Sequence, residues 1–333
     1  MTSPVLNIED LKVEVDTGEA VHTVLDGVTL RLLPGQTLGV VGESGCGKSM
    51  TALAVMGLLP DRFRVTRGSI FLGSEDLVEA KPSRLRALRG NALSMIFQEP
   101  MTSLNPVMTV ERQITEVIEL HQKKPHAEAR EMALEMLRAV QISSPEERLA
   151  AYPHELSGGM RQRVMIAIAL ACRPRVIIAD EPTTALDVTV QAQIFRLLRE
   201  LRDQTRTAIM LITHDLGAIA EMADDVAVLY AGKCVETGTA ADILNRPSHP
   251  YTRGLMNCIP RLQLGERAFE RTEALGEIVG MVPPLGRFPT ACRFSPRCPL
   301  ADDRCRNEPP PLVDVDPSHA ALCWKVRQMD AAA

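Results

Sequence analysis

A chain of 333 residues with 45% hydrophobic and 24% charged positions is long enough to bury a large core and to form more than one domain. Its formal charge of −5 leaves no basic footprint for a nucleic-acid backbone, so nucleic acid is not an expected partner. No apolar run approaches the roughly 20 residues that cross a bilayer, and Met1 to Asp10 lacks the basic-then-apolar order of a secretion signal; the expected location is cytoplasmic.

Leu6 to Val15 and Val28 to Leu33 read as strands, separated by the turn-prone Asp16-Thr17-Gly18 and closed by Pro34-Gly35. The apolar run Thr37 to Val41 leads into Gly42-Glu43-Ser44-Gly45-Cys46-Gly47-Lys48-Ser49, and a helix-periodic segment, Met50 to Leu59, follows. This is the G-x-x-x-x-G-K-S pattern in its strand-to-helix context. Glycines let successive backbone N–H groups curl around one anion, and the helix N-terminus adds partial positive charge. Lys48 is suited to the β- and γ-phosphates, and the Ser49 hydroxyl to a hard cation such as Mg²⁺. Cys46, at the helix start, is expected to have a lowered thiol pKa. A merely structural glycine turn would not require the complete pattern.

Ser69 to Leu72 and Leu93 to Phe97 are short strands, the second ending at Gln98. From Val107 to Leu149 the period changes. Val110, Ile114, Val117 and Ile118, then Ala133, Met136, Leu137 and Val140, fall on helix faces, broken at Lys123-Lys124-Pro125. Ser157 before Gly158-Gly159 reads as a helix cap, and such a helix start is a second anion site. One nucleotide has no evident use for two such sites, whereas two chains exchanging them would.

Strands resume at Val176 to Ala179, Ala208 to Ile212 and Val226 to Tyr230, with helical segments between them, which argues for an α/β fold with a mainly parallel sheet. The first of these delivers Asp180 and Glu181 to the ligand edge of that sheet. Asp180 is suited to hold Mg²⁺ opposite Ser49, and Glu181 to polarise an attacking water. An acidic pair ending a strand by itself reads as a solvated strand terminus; the phosphate loop upstream gives this pair a catalytic sense. His214 ends another strand at the same edge, where it can satisfy a local hydrogen bond or sense the γ-phosphate.

Nine of 23 prolines follow Gly280, and an irregular unit is expected from about Pro247 onward. It carries Cys292, Cys298, Cys305 and Cys323 among Arg293, Arg297, Arg304 and Arg306. Close Cys-x₂₋₄-Cys pairs of a structural zinc site are absent. Four thiolates can hold a [4Fe–4S] cluster whose charge arginines would offset, with zinc or free thiols as the alternatives. Cys172, Cys234 and Cys258 read as small core residues.

Gly42 to Ser49, Gln98, Leu156 to Gln162, Asp180-Glu181, Ala185-Leu186-Asp187 and His214 resemble, in order and spacing, the ABC-type ATPases over about residues 5–250. The resemblance implies a P-loop core with an antiparallel β subdomain, a helical subdomain at about 100–165, and a head-to-tail dimer closing on two ATP molecules. It also implies that Gln98 touches Mg²⁺, that Ser157, Gly158, Gly159 and Gln162 complete the partner's site, and that Asp187 couples the two sites.

Gln98 to Pro106 and Pro247 to Arg253 are similar to the dipeptide/oligopeptide importer branch, which includes nickel, glutathione and opine systems. That implies a cassette over 1–246, a C-terminal domain over 247–333, two membrane-spanning permease subunits, an extracytoplasmic solute-binding protein and often a non-identical paired ATPase. Members with this cysteine pattern imply the [4Fe–4S] cluster. Soluble ABC ATPases of ribosomes or DNA usually carry two cassettes or a long coiled coil, and neither is present. An iron–sulfur redox protein would leave the hydrolytic set unexplained. The family's adenine-stacking aromatic is missing: nothing from Met1 to Val41 is Phe, Tyr or Trp, Val15 lies near its place, and His22 is the only ring nearby.

Overall fold

The computed structural model describes residues 3–98, 103–183, 186–258 and 277–326. Twelve strands are formed among these residues: β1 (Leu6–Asp16), β2 (Val21–Leu32), β3 (Thr37–Val41), β4 (Phe63–Leu72), β5 (Glu75–Asp76), β6 (Leu93–Ile96), β7 (Val176–Asp180), β8 (Ala208–Ile212), β9 (Asp225–Tyr230), β10 (Lys233–Thr239), β11 (Leu312–Asp316) and β12 (His319–Leu322). The principal helices are α1 (Lys48–Met56), α2 (Pro82–Leu88), α3 (Val110–Gln122), α4 (His126–Ala139), α5 (Pro145–Ala150), α6 (Gly158–Leu170), α7 (Val188–Thr205) and α8 (Leu216–Met222), then α9 (Ala240–Asn245), α10 (Pro250–Asn257) and α11 (Asp303–Asn307).

The main sheet has the order β11-β12-β10-β9-β3-β8-β7-β6, and β9, β3, β8, β7 and β6 run parallel. β3, β7 and β8 are buried at every position, as expected for uninterrupted apolar runs covered on both faces. A second, antiparallel sheet, β2-β1-β4-β5, packs with α1 over one face of the main sheet. Its strand β1 alternates more loosely, and register shifts between Ile8 and Leu11 accommodate the left-handed Asp10.

The helical insertion forms as its periodicity requires. Thr109 caps α3 by accepting from Arg112 N, and the break falls at Lys123, with φ 54°, before Pro125. Val110, Ile114 and Ile118 from α3 meet Ala129, Ala133 and Leu137 from α4, all fully buried, in one core with α6. Each branched side chain so buried contributes about 1.5–3 kcal/mol.

The C-terminal part is less irregular than its prolines suggest. β11 and β12 form a hairpin, and β12 extends the main sheet by pairing Ala321 with Glu236 of β10. Glu236 is 1% exposed, yet fully satisfied. Its carboxylate accepts from Ser248 N and from His249 N (3.0 Å), and His319 Nε2 lies 2.7 Å away. This buried pair staples the hairpin to β10, at the antiparallel edge of the main sheet. Beside it, Asp242, Asp316 and His319 lie close enough to hold a cation, but the Arg246 guanidinium already reaches both acids.

Candidate functional site

The phosphate loop follows β3 and holds the backbone its glycines permit. Gly42, Gly45 and Gly47 have φ of 149°, 77° and 109°. At Gly42 the requirement is also steric, because a Cβ there would stand 2.2 Å from the Leu229 carbonyl oxygen. Gly47 opens α1 without a side-chain cap, which leaves first-turn N–H groups for a ligand. Lys48 is buried; its Nζ donates to Gly42 O (2.7 Å) and Glu43 O (3.1 Å), holding the ammonium inside the cradle. Ser44, Gly45 and Ser49 are exposed at its mouth. Cys46 departs from expectation: it is fully buried, and burial raises its thiol pKa more than Lys48 lowers it.

Adjacent strand ends bring the other groups to the same edge. Ser49 Oγ donates to Asp180 Oδ1 at 3.2 Å, joining the start of α1 to the end of β7. Asp180 is 5% exposed; burial raises its pKa, Glu181 adds to the rise, and the Ser49 hydrogen bond opposes it. Gln98 Nε2, just beyond β6, donates to Glu181 Oε2 at 3.0 Å. His214 Nδ1, just beyond β8, lies 3.2 Å from Glu181 Oε1. Glu181 itself takes a left-handed φ of 48°, which turns its side chain out of strand alternation. Such an edge can hold a divalent cation between Ser49, Gln98 and Asp180, and a water against Glu181.

Ser157 caps α6 by accepting from Met160 N at 3.3 Å, and Gly158 has open space where a side chain would stand. Among the described residues, neither Ser157, Gly158 nor Gly159 bonds to the phosphate loop or the acidic pair. Gln162 is 2% exposed, and its amide donates to Pro182 O, so it links α6 to the exit of β7 instead of facing a ligand. Asp187 is exposed and caps α7 by accepting from Val190 N at 2.9 Å. Glu99 to Thr102 and Ala185 lie outside the described residues.

Cys292, Cys298, Cys305 and Cys323 do line one cavity, with His249, Phe294, Trp324 and Lys325. Among the described residues, however, no three of their sulfurs lie within 4.8 Å of one another, so the thiols are not gathered around a single metal ion. Burial raises the thiol pKa of Cys292 and Cys298 and pushes Cys323 up to about 11. The expected arginine counterions each have another partner, and only Arg304 meets a residue of the cavity lining. Arg293 pairs with Asp26 at 2.7 Å, Arg297 with Glu43 at 2.6 Å, Arg304 stacks on Trp324, and Arg306 lies 3.5 Å from Asp303. Cys258 is exposed, not a core residue, whereas Cys172 and Cys234 are part-buried.

Two residues at the phosphate loop escape a reading of local pattern. Glu43 N donates to the hydroxyl of buried Tyr251 at 2.8 Å, and the Glu43 carboxylate receives Arg297. The only sequence signal was that Tyr251 stands in the Pro247 to Arg253 stretch.

Residues 25–184 match the ABC transporter family, and residues 235–305 match the oligopeptide/dipeptide transporter C-terminal region. The chain is 50% identical to a probable peptide ABC transporter ATP-binding protein of Sinorhizobium fredii, over 97% of this chain and 96% of that protein. It is 49% identical to the oligopeptide transport ATP-binding protein OppD of Salmonella typhimurium (96% and 93% covered) and 46% identical to the dipeptide transport ATP-binding protein DppD of Bacillus subtilis (96% and 94%). The solved dimeric structure of the ATP-binding cassette MJ0796, bound to ADP and Pi after hydrolysis, is similar with a TM-score of 0.64 at 25% identity, covering 71% of this chain and 98% of that one. Identity at this level, sustained across nearly the whole of both chains and carried on a cassette fold, makes this chain a member of the oligopeptide/dipeptide branch of ABC transporter ATP-binding proteins, enzymes that bind and hydrolyse ATP.

Proposed function

We propose that the chain powers the uptake of di- and oligopeptides, working at the inner face of a cell membrane beneath two membrane-spanning permease subunits, with solute delivered by an extracytoplasmic binding protein. The observation that carries this reading is the meeting of Ser49 with Asp180, and of Gln98 and His214 with Glu181, on a chain whose C-terminal part matches the peptide-transporter region. Relatives described as peptide, oligopeptide and dipeptide transport proteins support peptide as cargo over nickel, glutathione or opines. No helix among the described residues is long and apolar enough to cross a membrane, so separate permeases would supply the path.

In this reading the Gly42 to Ser49 amides and Lys48 bind the phosphates, and Ser49, Gln98 and Asp180 hold Mg²⁺, whose bound form supplies charge neutralisation on the phosphoryl oxygens. Glu181 takes a proton from water as the water oxygen bonds to the γ-phosphorus and the bond to the β–γ bridging oxygen breaks, giving ADP and phosphate. His214 keeps the Glu181 carboxylate aimed. Ser157, Gly158 and Gly159 belong to the site of the opposite protomer, an arrangement favoured by the open space at Gly158 and by the dimeric cassette of similar fold. Gln162 and Asp187 act in relaying closure, and the partner is a paired, non-identical ATPase. The cassette occupies 1–246, with its helical subdomain at about 100–165, and the C-terminal domain occupies 247–333.

The four cysteines around one cavity support a [4Fe–4S] cluster over zinc. A single zinc ion at about 2.3 Å from each sulfur requires sulfurs closer together than a cubane does. Iron and acid-labile sulfide on anaerobically purified protein are the expected result; zinc without sulfide would reverse the assignment. The transporter reading is tested by purification from detergent-solubilised membranes. Recovery with two permeases and a second ATPase is expected, and recovery on ribosomes or DNA instead would contradict it.

A further inference from the structure

The C-terminal unit reaches the phosphate loop at Glu43, through the Tyr251 hydroxyl and the Arg297 guanidinium. Arg297 Nη1 lies 2.6 Å from Glu43 Oε2 and Nη2 lies 3.0 Å from Glu43 Oε1, a two-point ion pair between residues far apart in the chain. The remaining guanidinium hydrogens are also committed: Nε donates to Val279 O and Nη2 to Ile278 O, each at 3.1 Å, and Nη1 to the Tyr230 hydroxyl at 3.5 Å. The Arg297 side chain is 4% exposed and sits over Tyr230, whose ring packs with Tyr251 and Phe294 at 4.7 and 5.2 Å between centroids. Tyr251 in turn accepts from Glu43 N. Both ends of Glu43, backbone and carboxylate, are therefore fixed from outside the cassette's own strand-loop-helix.

The chemistry of the loop gives this grip a purpose. Gly42 to Ser49 must receive a highly charged triphosphate, and Glu43 places a carboxylate within the same eight residues. An unpaired carboxylate within the loop that cradles the phosphates would repel the ligand, and in a partly buried setting that repulsion is weakly screened. We infer that Arg297 is a positioning residue for ATP binding: it neutralises Glu43 and holds its carboxylate off the phosphate cradle, so the C-terminal unit sets the affinity of the cassette for nucleotide. The inference rests on reading Gly42 to Ser49 as the nucleotide site.

The test is steady-state ATP hydrolysis by the full-length chain in its purified transporter. Arg297→Ala should raise the KM for ATP roughly tenfold, with kcat within about twofold, the size expected for one uncompensated charge near the phosphates. Arg297→Lys should recover most of the loss. Glu43→Gln added to Arg297→Ala should return KM to within about threefold of the wild type, because the offending carboxylate is gone. An unchanged KM in Arg297→Ala, or a double variant no better than Arg297→Ala, overturns the inference. Should Arg297→Ala fail to fold, Glu43→Gln alone decides: KM at or below the wild-type value upholds it, and a raised KM refutes it. Hydrolysis that persists in Lys48→Ala would instead overturn the nucleotide-site reading.

Discussion

Gln98 Nε2 and Glu181 Oε2 are 3.0 Å apart, which ties the exit of one strand to the acid at the end of its neighbour. The contact orients a carboxylate whose other oxygen faces His214, so both oxygens of Glu181 are engaged by residues that follow flanking strands.

Replacing Glu181 with Gln keeps the shape and the Gln98 contact but removes the base. Hydrolysis should fall by at least about 100-fold, while binding of a fluorescent ATP analogue changes less than about threefold. Turnover close to wild type in a phosphate-release assay would remove Glu181 from its role.

Gly42→Ala should be far more damaging than its size suggests. The added methyl would stand 2.2 Å from the Leu229 carbonyl oxygen, a backbone atom that cannot swing aside. The φ of 149° adds strain. The loop must shift, and ATP affinity should drop by at least about tenfold; a titration that matches wild type would refute the steric argument. Gly45→Ala meets nothing within 4 Å and should be milder.

The His319–Glu236 pair makes a pH prediction. Glu236 raises the His319 pKa above its ordinary value. A histidine raised on folding contributes stability that is fully present below its unfolded pKa, about 6.5, and is lost as pH rises through the higher folded value. Docking of β11–β12 should therefore weaken on the alkaline side of neutrality. His319→Ala, which leaves Glu236 buried without its partner, should cost about 3–5 kcal/mol and remove that alkaline slope. Chemical denaturation at pH 6 and pH 9 reads both effects, and a variant that keeps the slope would exclude His319 as its source.

Base selection should be weak. Val15 is buried and pairs across the strands with His22, and no aromatic residue precedes Val41 to stack on a purine. Affinity then comes mainly from phosphates, and ATP and GTP should bind within about fivefold of one another, since each stacked base is worth about 1–3 kcal/mol. A calorimetric preference for ATP above 50-fold would contradict this.

The phosphate loop, the β7 acids and the Ser157 cap were legible because each is a local pattern whose chemistry depends on neighbouring residues. The helical insertion was legible from its period, down to the break at Pro125. What lay hidden depends on distant pairings. Lys233–Thr239 carries Glu236, which looks unfit for a buried strand until Ser248, His249 and His319 arrive to satisfy it. Arg297 read as a counterion for cysteines because Cys298 is adjacent in sequence, while its partner Glu43 is 254 positions away. Cys46 differs from its sequence expectation because the helix terminus is visible in sequence and burial is not.

The most direct test of the account is uptake of a radiolabelled tripeptide by proteoliposomes carrying the permeases, the ATPase pair and the binding protein, with ATP inside or outside. Uptake should require ATP on the side where this chain sits and fall to background when Glu181 is replaced by Gln in this chain. Peptide accumulation that continues without ATP, or ATP hydrolysis that no peptide or binding protein stimulates and that moves no solute, would contradict it.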